Sequence, residues 1–480
     1  MSICSCMSNS TNNSTKDSTN IATKDSNAVT KKVLKPQKLD TLANALAQFL
    51  AGFPTDTFAA LQKKPFYARH LKQIEKAWET TEKEDLKPIA QWIADAKVTN
   101  SNDSITIFYP FSGPDFLYVN SFFPYAKNYV MVGLENAGTL PKIKNLKDTV
   151  IASYLDNLRS SLRYINNVGY FVTSHMMNDF AKHQLDGATH LLLFYLARTN
   201  HEIAAFNPIF VDKNGNIQKR NDFKKIPNLA NGIEIQFRKK GTDVEKTLYY
   251  FPFDLANANL TNHPEFFDFV DNIGRKFGYV KSASYLMHNE GFKVIREFFM
   301  NNCVTILQDD TGIPFKMFKK SKFQLTLFGT YTKTISDFPW CLQKDLKEAV
   351  AKEAKTLPFL IGYNSWHKET VLFLAKDTAY YHLKALPKDS LTKNLVFKVQ
   401  IMSSPQKLAQ NNPKFKDLPQ VDFYQWQGLF RYIIGSESDF EKCNELLKQA
   451  REKGFKDAFI VAFRNNVRIP LKEALEWKRK

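Results

Sequence analysis

Residues 396–402 read Val396-Phe397-Lys398-Val399-Gln400-Ile401-Met402, and their alternation decides how the C-terminal end of the chain folds. Phe397, Val399 and Ile401 fall on one face of an extended backbone, Lys398 and Gln400 on the other, the period-two pattern of a half-buried strand. Gly428–Gly435 alternates as well, with Phe430, Tyr432 and Ile434 opposing Leu429, Arg431 and Ile433. A third run, Ala458–Phe463, sets Phe459, Val461 and Phe463 against Ala458, Ile460 and Ala462. Between the second and third runs, Ser438–Lys453 is amphipathic at helical spacing, and Gly454 is its expected C-cap. The pattern predicts a small α/β module over residues 391–480. Each strand should turn a bulky face to the helices and an open face to solvent or a ligand.

Upstream, Pro387-Lys388-Asp389-Ser390 reads as a linker. Residues 39–386 then form one large domain. Helical periodicity marks its start (Leu42, Leu46, Phe49, Leu50) and continues from Pro65 to Ala96. Strands are expected at Ile105–Tyr109, Tyr129–Leu134, Glu202–Val211, Gly232–Phe237, Glu245–Phe251, Val304–Leu307, Gln324–Thr330 and Thr370–Ala375. Helices are expected at Asp148–Tyr164, Phe171–His183, His190–Arg198, His263–Phe269 and Gly291–Asn301. Helices and strands mix without a regular βαβ rhythm, which predicts an α+β chain with a large mixed α/β central domain. Residues 1–38 are poor in apolar side chains and read as a disordered tether.

The 480 residues carry a formal net charge of +18, with Lys and Arg spread along the chain rather than gathered in a tail. Such a charge favours an anionic neighbour: nucleic acid, a membrane face or an acidic wall polymer. No apolar run is long enough for a spanning helix. Ile3-Cys4-Ser5-Cys6 resembles the lipobox of a bacterial lipoprotein, with Cys6 as the lipidated residue and a true start upstream of Met1. Cys303, Cys341 and Cys443 are isolated and suggest neither a zinc site nor a disulfide framework.

In the large domain the polar groups that could do chemistry are Asp115, Glu135, Lys281, His288, Gln308, Asp309 and Asp310. Adjacent carboxylates such as Asp309 and Asp310, near His288, suit acid–base work or cation binding, although Asp-Asp-Thr-Gly is also ordinary turn chemistry. Lys281 and Ser284 have the spacing of neighbours on a helix face. No HExxH, P-loop, GxGxxG or GxSxG pattern is present, so neither metal nor cofactor is expected. The catalytic candidates are therefore Asp309, Asp310, His288 and Lys281, and a cleft holding Asp309, Asp310 and His288 together would argue for an enzyme.

Phe397-Lys398-Val399-Gln400-Ile401-Met402-Ser403, Arg431-Tyr432-Ile433-Ile434-Gly435 and Gly454-Phe455-Lys456-Asp457-Ala458-Phe459-Ile460-Val461, in that order, resemble the SPOR (sporulation-related repeat) domain of Bacteroidetes-type envelope proteins. The resemblance implies an RNP/ferredoxin-like α/β sandwich whose open sheet face binds peptidoglycan glycan strands. The matching ligand positions are Gln400, Ser403, Leu429 and Arg431, with Leu429 where an aromatic ring often stands. Phe108–Asp115, Lys281–His288 and Gln308–Pro314 are similar to segments of a family of uncharacterised bacterial envelope proteins, which adds a domain boundary and no activity.

Together these readings lead us to expect a periplasmic, lipid-anchored envelope protein that partners with peptidoglycan. A wall-acting enzyme with a catalytic central domain is the second reading. A nucleic-acid-binding protein is the third. It is disfavoured because the third-strand positions where an RNA-binding sheet carries rings are Ala458 and Ile460, leaving the open face without stacking groups.

Overall fold

The computed structural model describes residues 38–98, 105–168, 187–384, 388–409, 411–426 and 429–479. The 1–37 tract with Cys6, and the helix expected at 171–183, lie outside them.

Ten strands build the central sheet: β1 (Thr106–Tyr109), β2 (Asn128–Gly133), β3 (His201–Val211), β4 (Ile217–Lys219), β5 (Asn231–Lys239), β6 (Glu245–Pro252), β7 (Lys276–Val280), β8 (Cys303–Gln308), β9 (Phe323–Gly329) and β10 (Val371–Asp377). Their order is β4-β3-β5-β6-β2-β1-β7-β8-β10-β9. The middle five, β6-β2-β1-β7-β8, are parallel, and antiparallel strands extend both edges. The mixed α+β class stands, and the mixed sheet is covered on both faces.

Strand alternation divides the apolar side chains between two cores. Ile107 and Tyr109 of β1 face helices that include Thr41–Ala51, Phe116–Phe122 and Thr189–Arg198. Phe108, on the opposite side, meets Phe266, Phe298 and Phe299 from the helices Pro264–Asn272 and Lys293–Asn302. Much of the chain's phenylalanine is used in this way. Local signals start the helices where expected: Asp40 caps Thr41–Ala51 by accepting from Ala43 N at 2.9 Å, and Gly52, at φ 82°, ends it.

Of the central strands β4 and β7 went unread, and β7 lies at the centre of the sheet. Lys276-Phe277-Gly278-Tyr279-Val280 looks too polar and too small for a core strand, yet all five residues are buried. Lys276 is neutralised by Asp271 at 2.9 Å, and Gly278 lies so close to the Phe299 ring that a Cβ would sit 2.3 Å from it. With β7 in place, the parallel rhythm that the sequence seemed to lack is present.

The C-terminal module is a five-stranded antiparallel sheet of β11 (Leu395–Ser404), β12 (Val421–Trp426), β13 (Leu429–Glu437), β14 (Phe459–Arg464) and β15 (Val467–Ile469), in the order β12-β13-β11-β14-β15. The helix Phe440–Glu452 joins β13 to β14 and begins at Asp439, whose carboxylate accepts from Glu441 N and Lys442 N. That helix and Leu471–Arg479 cover one sheet face. Between β11 and β12 a single turn of 3-10 helix, Pro413–Phe415, stands where a second helix would complete the split βαβ motif. The short helix Lys388–Thr392 occupies most of the segment read as a linker.

Two expectations about the sheet faces are corrected. In and just before β14 the small residues Ala458 and Ala462, with Ile460, face the helices, where Ala450, Cys443 and Ala474 let the backbones approach. The rings of Phe459 and Phe463 point the other way, beside Tyr424. The face away from the helices therefore does carry rings, and the absence of rings that counted against nucleic acid is not found. Nor is that face open: Arg431, Gln400, Ile433, Val461 and Phe463 are all buried.

Candidate functional site

A cleft of about 500 Å³ opens at the carboxyl ends of β1, β2, β6 and β7. The β1–β2 connection runs over one sheet face and the β7–β8 connection over the other, so the cleft lies where open α/β sheets bind ligands. Its floor comes from the loops after β1 (Pro110–Asp115) and β7 (Lys281–Tyr285), with Gly133, Glu135 and Phe253 beside them.

Both loops hold backbone in the left-handed region: Phe111 (φ 58°), Ser282 (53°), Ser284 (49°) and Tyr285 (54°). Such conformations cost about 1–3 kcal/mol each in ordinary residues and gather at functional sites. The loops are held by Ser112 N donating to Val132 O at 2.7 Å and by the Tyr363 hydroxyl donating to Ser282 O at 2.8 Å. Lys281 and Ser284 thus belong to an irregular turn, not to a shared helix face.

At the bottom of the cleft, Lys281 Nζ lies 2.8 Å from Asp115 Oδ2 and 4.3 Å above the Tyr118 ring. Both charged side chains are at most 2% exposed. The Tyr109 hydroxyl donates to the same Asp115 oxygen at 3.0 Å, and Asp115 Oδ1 accepts from Tyr118 N at the start of its helix. Burial raises the Asp115 carboxyl above its ordinary value, and Lys281 and these hydrogen bonds recover only part of the shift. Tyr118 in turn donates to Asp85, whose carboxyl burial pushes up to about 6. On the far wall Tyr250 donates to Glu135 Oε2 at 3.2 Å. Ser282 Oγ is buried without a hydrogen-bond partner.

The predicted catalytic group divides. Lys281 lines this cleft, as do Asp115 and Glu135, whereas Asp309, Asp310 and His288 do not. Asp309 sits beneath it as a scaffold: its carboxylate accepts from Ser282 N at 2.8 Å and from Thr311 N and Oγ1, tying the β7 loop to the β8 loop. Gln308 closes the same turn through Ile313 N and O. Asp310 points elsewhere, accepting from the Tyr285 hydroxyl at 2.6 Å. Burial, reinforced by the neighbouring Asp309 charge, raises it to about 7. His288 stacks edge-on to Tyr285 in an adjacent depression, and burial lowers it to about 4. The three do not share one cleft.

Sequence reasoning missed the rings of the cleft, Phe111, Phe253, Phe292, Phe338 and Tyr363, because they come from five separate segments. The readable signal was that two Ser-containing turns, Pro110–Asp115 and Lys281–Tyr285, each follow a strand. Among the described residues no cluster of three or more His, Cys, Asp or Glu side chains is placed to hold a metal, and no helix is long and apolar enough to cross a membrane.

On the module, Gln400, Ser403 and Arg431 do converge on one sheet face. Arg431 Nη1 is 3.0 Å from Ser403 Oγ, and Gln400 Oε1 accepts from the Tyr424 hydroxyl at 2.7 Å. Leu429 is half-buried at the start of β13, paired with Trp426. Arg431 is 1% exposed and Gln400 2%, so neither is a solvated sheet residue. Arg431 Nη1 is also 3.0 Å from Asp268 Oδ2, and Arg468 Nη1 is 3.0 Å from Asp271 Oδ2, both carboxylates being on the helix Pro264–Asn272 of the central domain. Burial works against ionisation of Asp271, but Lys276, Arg468 and Arg431 outweigh it and hold its carboxyl below the usual range. A third pair, Arg275–Glu473 at 2.6 Å, links β7's approach to the last helix. No family model, curated protein or solved structure matches this chain.

Proposed function

We propose that this is a cell-envelope protein that binds peptidoglycan glycan strands through its C-terminal module. The observation that carries the reading is the convergence of Gln400, Ser403 and Arg431 on the sheet face opposite the module's own helices. Amide, hydroxyl and guanidinium groups offer directional hydrogen bonds to sugar hydroxyls and acetamido groups. In the docked arrangement Asp268 occupies Arg431, so a glycan strand has to displace it. Binding is then coupled to the module lifting from the Pro264–Asn272 helix.

Retention of the full chain on purified sacculi, intact or stripped of stem peptides, tests this. A variant carrying Asp268→Asn and Asp271→Asn should be retained more strongly, and Arg431→Ala more weakly, on stripped sacculi. Both variants loosen the junction, so a common rise, a common fall or no change in the two would sink the proposal.

A second reading, an enzyme acting on wall material, is favoured by the buried Lys281–Asp115 pair at the floor of a cleft at strand carboxyl ends. Release of soluble fragments from sacculi, abolished by Lys281→Met, would support it; no release by the intact chain would count against it.

A further inference from the structure

The ligand of the central cleft is constrained by its own walls, independently of what the module binds. On a chain of net charge +18, the described residues lining the cleft carry four carboxylates, Asp115, Glu135, Asp254 and Asp337, against one ammonium, Lys281. That ammonium is already engaged by Asp115. A phosphate, a nucleotide or an acidic polymer would enter against this local field, whatever the overall charge does at long range.

The uncharged part of the lining mixes aromatic rings with aliphatic and small residues. Phe111 and Phe292 meet edge to face at 5.7 Å on one side, and Phe338 and Tyr363 stand on another. Asp254 and Asp337 are exposed at the rim, where their oxygens can accept hydrogen bonds. Beneath them, the buried Ser282 Oγ has both a donor and an acceptor to offer.

Rings supply flat apolar surfaces, and carboxylates supply strong acceptors for hydroxyl or ammonium donors. A pyranose matches both, with C–H faces for the rings and a rim of hydroxyl donors for the carboxylates. The volume, about 500 Å³, lies in the range that encloses a small ligand and has room for a short oligosaccharide. We infer that the cleft is a binding site for a short saccharide without acidic groups, neutral or amine-bearing.

Titration calorimetry on the full chain tests the assignment with four probes: an N-acetylglucosamine trimer, a glucosamine trimer, a galacturonic acid trimer and inorganic phosphate. Binding of either of the first two, at least tenfold tighter than either acidic probe, is the expected result. Phe338→Ala and Asp337→Asn change partly or fully exposed rim residues and should leave the melting temperature in place while weakening that binding about tenfold. Saccharide binding that survives both substitutions, preference for the acidic probes, or no binding to either non-acidic trimer at millimolar concentration would overturn it. Phe338→Ala and Asp337→Asn should leave retention of the full chain on stripped sacculi in place, which separates this site from the module; loss of that retention in both variants would overturn the separation.

Discussion

Arg431 of the C-terminal module and Asp268 of the central domain form an ion pair at 3.0 Å, with both side chains almost wholly removed from water. A residue that the SPOR resemblance implies as a ligand contact is, in the folded chain, part of a junction. Beside it, Arg468–Asp271–Lys276 extends the pairing into the central sheet. Two charges in such a place are tolerated only because each has the other.

Arg431→Ala should therefore destabilise the chain by about 3–5 kcal/mol, because it leaves the Asp268 charge buried and unpaired. Replacing both residues, Arg431→Met with Asp268→Leu, should cost much less. Denaturant unfolding of the two singles and the double completes the cycle. Additive losses would show that the two side chains are not coupled.

Asp310 should make the protein less stable as pH rises. Its folded value, about 7, lies above the ordinary 3.8, so the folded chain holds a proton that the unfolded chain has released. That contribution is complete below about pH 4 and is lost as pH rises through about 7. Asp310→Asn keeps an acceptor for the Tyr285 hydroxyl and should melt higher than the natural chain by an increment that grows between pH 5 and 8. The increment should reach about 1–3 kcal/mol. A constant increment across that range would refute the assignment.

Three histidines, His70 buried and His201 and His288 half-buried, act in the opposite sense. Burial lowers His70 and His288 to about 4 and His201 to about 3, so the folded chain keeps them neutral while the unfolded chain protonates them near 6.5. Their contribution is complete above about pH 6.5 and is lost on the acid side towards pH 4. Relative to the natural chain, His201→Gln should show a smaller fall in melting temperature between pH 7 and 5. Equal slopes for the two would show that His201 titrates normally.

Gly133→Ala tests the cleft's construction. A Cβ there would lie 2.5 Å from Glu135 Oε2, 2.6 Å from the Tyr250 hydroxyl and 2.9 Å from Gly113 Cα. The substitution should cost about 1–3 kcal/mol by overpacking, and it should weaken any cleft ligand. A thermal melt within a degree of the natural chain would show that the β1 and β2 loops have room to separate.

Much of the fold was legible in the residues. Strand β11 reads correctly because its two faces differ: Phe397, Val399 and Ile401 are in the module core, and Lys398 is not. Strand β7 was invisible because both its faces are buried, which erases alternation, and because its Lys276 is charged. The face assignment of β14 failed for a related reason. Its large side chains were assigned to the helices, yet close helix packing calls for small ones, and Ala458 and Ala462 fill that role.

The sequence by itself determined the strand periodicity of β11 and β13, the helical periodicity that begins near residue 42, and the polar residues Asp115, Glu135 and Lys281 that line the cleft. These are local properties, set by residues a few positions apart. Only the tertiary structure decided which of those residues meet. Asp115 and Lys281 are 166 positions apart in the chain and 2.8 Å apart in space, and Arg431 finds Asp268 across a domain junction. Burial, and with it the charge state and accessibility of each group, follows from those long-range contacts, because the cost of removing a charge from water depends on the neighbours that the fold supplies.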